Sequence, residues 1–525
     1  MKRRNLLAAT AVLAMPTISR AQAVQTLRFI PQADLSILDP HFNTAYVTRN
    51  HAYMVYDTLY GLNGRLEPSG QMVAGHVVED DGKRWTLTLR PGMKFHDGSP
   101  VLARDCVASI KRWGAKDTFG QSLLAATDSL EAADDRRIVF RLNKPFPLLP
   151  DALGKSGVYM PAMMPERLAR TDPAAQVSEI TGSGPFRWKG DERVVGARAV
   201  WEKFADYLPN PQGSPGFTAG PKIVHLDRVV WSTVPDPATA AAALQSGEVD
   251  WWEYASADLL PILRRNDKIT ARVQDPAGQA ALLRMNWLQP PFDNPAIRRV
   301  VLHAVVQSDY LIAMLGDDHA LWHDGMGVFT PGTPLANDTD IAAITGKRDY
   351  DALKRDLLAA GYKNERVALI VPTDFPNLKA LADVGADMLR KIGMNVDYQA
   401  MDWGTLLARR VKKDPVGAGG WSLFFTFSAG GDMATPAGQL MIRGTGQNAW
   451  FGWPDDAELE HLRDAWFAAP DLAAQQAIAR QLQHRVFETV PFVPLGQYFQ
   501  PTAYRKTVKG VLDGFATFWN VQIES

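Results

Sequence analysis

Trp85, Leu87 and Leu89 alternate with Thr86, Thr88 and Arg90, a two-residue period that predicts a half-buried strand ended by Pro91-Gly92. Ile138, Phe140 and Leu142 predict a second strand, closed by Asn143-Lys144-Pro145, and the two together suggest a segment of antiparallel sheet. Farther along the period changes. Asn294 followed by Pro295 reads as a capped helix start, with Ile297, Val300, Val301, Ala304 and Val305 along one face. Leu353 and Leu357 lie on another helix, which Gly361 ends. Residues 367–371, Val-Ala-Leu-Ile-Val, are apolar at every position, as in a strand buried on both faces. A helix through Val384, Met388, Leu389 and Ile392 follows, stopped by Gly393, and Met394, Val396 and Tyr398 form the next strand. Strand, helix and strand at this spacing make a βαβ unit and place the chain in the α/β class. A long last helix is expected over 473–488, then an extended tail over 491–510, and the Gly- and Pro-rich stretch 209–221 reads as a surface loop.

The first residues follow a different pattern. Lys2, Arg3 and Arg4 precede a short apolar stretch from Leu6 to Met15, and Ala21-Gln22-Ala23 is a small-x-small site. Residues 1–23 therefore read as a signal peptide cut before Val24. The apolar stretch is well short of the roughly 20 residues a membrane-spanning helix needs. Arg3-Arg4 fits a twin-arginine pattern, and Arg20 near the cleavage site points the same way. The whole chain of 525 residues has a formal charge of −1; losing the four positive charges of the leader leaves −5. That mild acidity offers no electrostatic case for nucleic acid. The single cysteine, Cys106, excludes an internal disulfide, and no cysteine follows the signal to carry a lipid anchor. A Gram-negative periplasm is the expected compartment, since a second membrane would retain an unanchored export product. A remainder of this length should divide into two or three domains, with a ligand site between lobes as the default.

Patterns for catalysis are absent. The chain has no Gly-x-Ser-x-Gly elbow, no phosphate-cradling Gly-x4-Gly-Lys and no His-Glu-x-x-His. Cys106, Ile110 and Trp113 recur at helical spacing, so Cys106 reads as a core residue rather than a nucleophile. His319 and His323 are four apart and could share a helix face near Asp324, a metal pattern weaker than the reading as loop histidines. Gly182-Ser183-Gly184-Pro185 is too short for a nucleotide fingerprint, and His96-Asp97-Gly98 reads as a turn. No cofactor is expected. Fifteen tryptophans are many, and Trp403, Trp421, Trp450 and Trp453 fall close to Phe424, Phe425 and Phe427. Aromatic faces suit a cleft that encloses a solute by area and stacking, although any one tryptophan is more often core.

Several segments together resemble one family, the extracellular solute-binding proteins of the dipeptide and oligopeptide type, family 5. They are Leu38-Asp39-Pro40-His41, Tyr56-Asp57-Thr58-Leu59-Tyr60, and the run from Trp85 to Pro100 with Ala103-Arg104-Asp105 after it. Gly182 to Phe186, Leu244 to Asp250, Asn294 to Val300, and Tyr350 to Tyr362 follow in family order. The resemblance implies a type II periplasmic-binding-protein fold of the cluster C type, with two lobes and an extra subdomain in lobe one. The divisions it suggests are lobe I over 24–57 and 185–282, the subdomain over 58–184, lobe II over 283–495, and a return to lobe I over 496–525. It implies a monomeric receptor, not an enzyme, that closes on a small molecule or peptide and docks on the permease subunits of an ABC transporter at the inner membrane.

The resemblance also implies where a peptide would lie. Thr44, Ala45, Tyr46 and Val47, just after the Leu-Asp-Pro motif, would lend main-chain groups. A Gly-Trp pair followed by an acid would supply packing and a carboxylate for the peptide amine. Gly420-Trp421 is present, but Phe424 stands where the acid should be, and Asp432 lies farther on. The candidate contact set is Thr44, Ala45, Tyr46, Val47, Trp403, Gly420, Trp421, Ser422, Phe424 and Asp432. The missing acid leaves open a peptide, or an oligosaccharide, opine-like conjugate or metal chelate on the aromatic segment; a secreted hydrolase is the third reading.

Overall fold

A computed structural model describes residues 24–524, and the expected signal peptide, 1–23, lies outside the described residues. Thr26–Ile30 forms a strand between Arg228–Ser232 and Trp251–Trp252, parallel to both. Four further strands complete a seven-stranded sheet: Phe186–Trp188, Arg198–Lys203, Ile269–Val273 and Pro501–Arg505. Its core is aromatic. The Phe29 ring lies 5.2 Å from Trp251 and 5.0 Å from Phe518, and Trp201 lies 4.5 Å from Trp231. Phe518 comes from the last segment of the chain, so the C-terminal return is held to this lobe by the same apolar contact that packs its centre.

A second sheet has six strands in the order Trp322–His323, Phe492–Tyr498, Gln279–Met285, Leu423–Ala429, Arg366–Pro372 and Asn395–Met401. Arg366–Pro372 and Asn395–Met401 pair in parallel, joined by the helix Pro376–Lys391, which is the expected βαβ unit. The helix ends at Gly393 with φ +92°, a conformation that costs a glycine nothing. Asn294 caps the helix Pro295–Ala304 by accepting from the Ala296 N–H. The last helix is Leu472–Thr489, capped by Asp471. The Gly- and Pro-rich stretch 209–221 has no regular structure.

The third sheet is antiparallel, with Arg84–Leu89 between Val73–Glu79 and Arg137–Leu142, and Thr127–Ala132 at the far edge. The sequence motifs in and around this unit turn out to be joints. Asp39 forms a fully buried ion pair with Arg112 of the helix Ala103–Gly114, and Asp57 accepts from Lys222 Nζ at 2.8 Å. Removing one partner of such a pair costs about 3–5 kcal/mol, because the other charge is left in the interior. A side chain at Gly182 or Gly184 would collide with the main chain at Val55, so this turn must be built from the smallest residue. Cys106 is fully buried on the helix Ala103–Gly114, and burial raises its thiol pKa far out of reach of nucleophilic chemistry at neutral pH.

Two divisions move. The expected lobe boundary at 282/283 falls inside the strand Gln279–Met285, and that at 495/496 falls inside Phe492–Tyr498. The chain crosses between the two large sheets at 274–278 and returns at 499–500. Both errors share a cause: a strand continues until its hydrogen-bonded partners stop, which local residue pattern does not show. Of the two readings of the histidine pair, the shared helix face is the one not met. His323 lies on the strand Trp322–His323 and His319 in the turn before it, so they share no helix face. Among the described residues no group of metal-ligating side chains forms. No described helix is long and apolar enough to cross a membrane.

Candidate functional site

The two large sheets face each other across a gap, and residues that follow the carboxyl ends of parallel strands line it. Gln32 and Ala33 follow Thr26–Ile30, Phe375 follows Arg366–Pro372, and Trp403 follows Asn395–Met401. The end of Leu423–Ala429 adds Thr426, Phe427 and Ser428. Strand ends are where α/β sheets leave a crevice, because the connecting loops diverge there. The lobe I wall is completed by Thr44, Ala45, Tyr46, Val47 and Val158, and the lobe II wall by Arg410, Leu440, Met441 and Trp450. In this closed arrangement the free cavity of the chamber between the walls is narrow, about 30 Å³, room for a water or two.

Three further spaces adjoin it, one of them through Gln32, Ala33 and Phe375 with Asp34 and Asp374 in its lining. Another, sharing Tyr46, lies against the crossing segments and is lined by Arg49, Glu253, Asp275, Gln279 and Gln500. The third shares Leu440 and Trp450 and is lined by Lys116, Gln121, Arg443 and Asn448. Burial raises the Glu253 carboxyl to about 7, opposed by the Gln32 main-chain N–H at 2.8 Å and by the Asn50 and Gln32 amides. Burial also raises Asp275.

Several bonds bridge the gap. The Tyr46 hydroxyl donates to Asp432 Oδ2 at 2.8 Å and accepts from the Ala429 N–H at 2.6 Å. Thr44 Oγ1 accepts from Arg410 Nη2 at 2.9 Å and from Trp450 Nε1 at 3.3 Å. Arg443 Nη1 donates to Gln121 Oε1 at 2.7 Å. The lobes thus stand closed.

Of the ten candidate residues, Thr44, Ala45, Tyr46, Val47 and Trp403 reach the chamber wall. The four around the Gly-Trp pair do not. A side chain on Gly420 would collide with the Asp414 main-chain oxygen. Trp421 is fully buried behind the wall, its Nε1 donating to the Arg410 main-chain oxygen at 3.0 Å. Ser422 Oγ accepts from the Ala368 N–H inside the sheet, and Phe424 packs edge-on against Trp421 and Trp450. The physical reason is register. Residues 420–424 enter the sheet from the far side, and the strand must run its length before its residues meet the gap. Asp432, in the turn after the strand, is half-buried and sits so close to Gly157 of the opposite wall that any larger residue there would collide with its carboxylate. It meets Tyr46 rather than the chamber. Trp453 is buried beside Trp421, so only Trp403 and Trp450 of the tryptophan cluster reach the solute space.

Arg410 carried no signal of its own, yet one was available. It lies seven residues after Trp403 on the helix Trp403–Arg410, two turns on and therefore on the same face.

Two α/β lobes, two crossings and a closed chamber walled from both sides define a bilobed solute receptor with the type II periplasmic-binding fold. The family model of the bacterial extracellular solute-binding proteins, family 5 (middle), matches residues 67–450, and the chain belongs to that family. A probable peptide ABC transporter periplasmic-binding protein, y4tO, of Sinorhizobium fredii is 36% identical over 99% of both chains. Among solved structures, AgaA from A. tumefaciens R10 in complex with agropinic acid superposes with a TM-score of 0.77 at 23% identity, covering 95% of this chain and 99% of that one. DppA from Helicobacter pylori in complex with the peptide STSA gives the same TM-score and identity over 95% and 98%.

Proposed function

We propose that the chain is the periplasmic substrate-binding component of an ABC importer, capturing a peptide or peptide-like solute between its lobes and delivering it to permease subunits at the inner membrane. The observation that carries this is the chamber: walled by both lobes, closed by bonds between them, and roofed by Trp403, Phe427 and Trp450. Closure excludes water, so a few hydrogen bonds inside become strong. The protein acts as a monomer and performs no catalysis. Thr44–Val47 and Trp403 touch the solute; so do Phe427 and Arg410, and Asp432 secures closure through Tyr46. Export removes residues 1–23, which intact-mass measurement on periplasmic protein tests; a mature chain that still starts at Met1 overturns it.

An opine-like solute is the second reading, favoured by the equal superposition on the agropinic acid complex. Thermal shift against short peptides, opines and oligosaccharides decides between them. A solute at 100 times its dissociation constant raises stability by about 2.7 kcal/mol. A response to opines alone overturns the peptide reading and leaves the receptor role intact.

A further inference from the structure

Both crossings between the lobes pass one pocket. Beside Tyr46 it is walled by Arg49 and Glu253 of lobe I, Asp275 of the first crossing, Gln500 of the second, and Gln279 and Ala429 of lobe II. Its free space is about 30 Å³, room for a water or two. Gln279 opens the lobe II strand Gln279–Met285 and donates to the Tyr254 hydroxyl of lobe I at 2.6 Å, a bond between lobes at the hinge itself.

The pocket has more acceptors than donors. Glu253 is buried and enters no ion pair; its carboxylate accepts from the Gln32 N–H at 2.8 Å and from the Asn50 amide at 2.6 Å. Asp275 is half-buried and accepts from the Ala277 N–H at 3.0 Å. Gln279 Oε1 is buried with no partner. Arg49 is the one cation on the wall. Its Nε and Nη2 both donate to Asn50 Oδ1, and its guanidinium lies over Tyr46 and Phe515, 4.6 and 3.8 Å from their ring centres. Its charge reaches both acids only through space, and Asp432 and Asp513 act on Asp275 with the opposite sign. Tyr46 and Tyr254 stay neutral, because burial raises both. Two acids and one cation leave the closed pocket with one negative charge in excess.

A carboxylate withdrawn from water without a counter-ion is costly, and a proton removes that cost. Resting on the receptor reading above, we propose that Glu253 is a proton switch of the hinge: the closed lobes hold a proton on its carboxyl, and opening releases it. A turn about 274–278 and 499–500 draws Gln279 and Ala429 off the pocket, and water then solvates the carboxylate. Gln32 carries the state of the switch to the solute, since it lines the chamber while its N–H and amide hold Glu253. Linkage sets the sign. Burial lifts the closed carboxyl to about 7, and opening lowers it toward 4.5, so acid favours closure and capture between those values.

The first test needs no solute. Val195→Cys and Leu358→Cys place one exposed label on each lobe, and Cys106, fully buried, takes none. Single-molecule energy transfer then reads the distance between lobes in the unliganded protein. If opening lowers the carboxyl by one unit, the closed-to-open ratio should be about 7-fold larger at pH 5 than at pH 7.5. Glu253→Gln, neutral at both pH values, should show no such change. Asp275→Asn leaves Glu253 in place and should keep it. The second test is calorimetry of a panel of short peptides and opines at pH 6.5, in buffers of different ionisation enthalpy. Binding to wild type should take up about half a proton more than binding to Glu253→Gln. A wild-type distance distribution that is the same at both pH values overturns the switch while the receptor reading stands. So does a pH dependence that survives Glu253→Gln, or equal proton uptake by the two proteins. A panel that does not bind at any pH overturns the receptor reading, and the labels still decide the switch.

Discussion

The two walls of the chamber are built differently. Lobe I contributes one contiguous run, Thr44–Val47, with Gln32, Ala33 and Val158, none of them charged. Lobe II contributes side chains scattered over nearly eighty residues of chain, four large rings and one guanidinium among them. The lobe I wall presents main chain and hydroxyls, groups that any solute with polar edges can meet. The lobe II wall presents area and charge, which discriminate. The two walls thus differ in kind: lobe II carries the rings and the charge, and lobe I a surface to close against.

The sharpest contrast lies within lobe II, between side chains at the wall and those behind it. Trp421→Ala removes a fully buried ring from the interior and should destabilise the protein by about 3–5 kcal/mol in denaturant unfolding. Affinity of the folded fraction should stay within a few-fold of wild type. A large loss of affinity at normal stability would place Trp421 at the wall and break the distinction.

Lobe I holds a buried acid without an ion-pair partner behind its wall, Glu253. Its carboxyl has a folded pKa of about 7 against 4.5 when exposed. The folded chain holds the extra proton between those values. Stability from this group is full below pH 4.5, falls as pH rises to 7, and is level above. Over that window wild type should lose up to about 3 kcal/mol relative to Glu253→Gln. Urea unfolding of both proteins at several pH values measures the difference; parallel curves would mean the carboxylate is solvated.

Phe427→Ala should do the reverse of Trp421→Ala, with a modest stability cost and affinity reduced about 10-fold through lost ring contact, read by calorimetry. The smallest effect belongs to lobe I. Tyr46→Phe deletes the hydroxyl that bonds Asp432 and the Ala429 N–H, worth about 1 kcal/mol of closure. Small-angle scattering of the unliganded protein should show a larger radius of gyration than wild type. Identical curves would mean that this bond does not hold the lobes together.

The residue pattern by itself determined the α/β class and the elements with a clean period. The alternation at 85–89, the apolar run 367–371 and the caps at Asn294, Gly361 and Gly393 each act through nearest neighbours in the chain, so their meaning is local. The lobe I wall was indicated by resemblance instead, as four successive residues beside a family motif. The lobe II wall was not. Gly420-Trp421 has the right residue types, but whether a strand residue meets the gap depends on where the sheet begins, and that is set by partners at 279–285 and 366–372. Arg410 looks like any arginine ending an amphipathic helix; only the packing of three rings and the approach of Thr44 from the other lobe make it a buried cation. Chain pattern specifies which face of an element is apolar, whereas the charge state and exposure of a single side chain depend on what the tertiary fold brings against it.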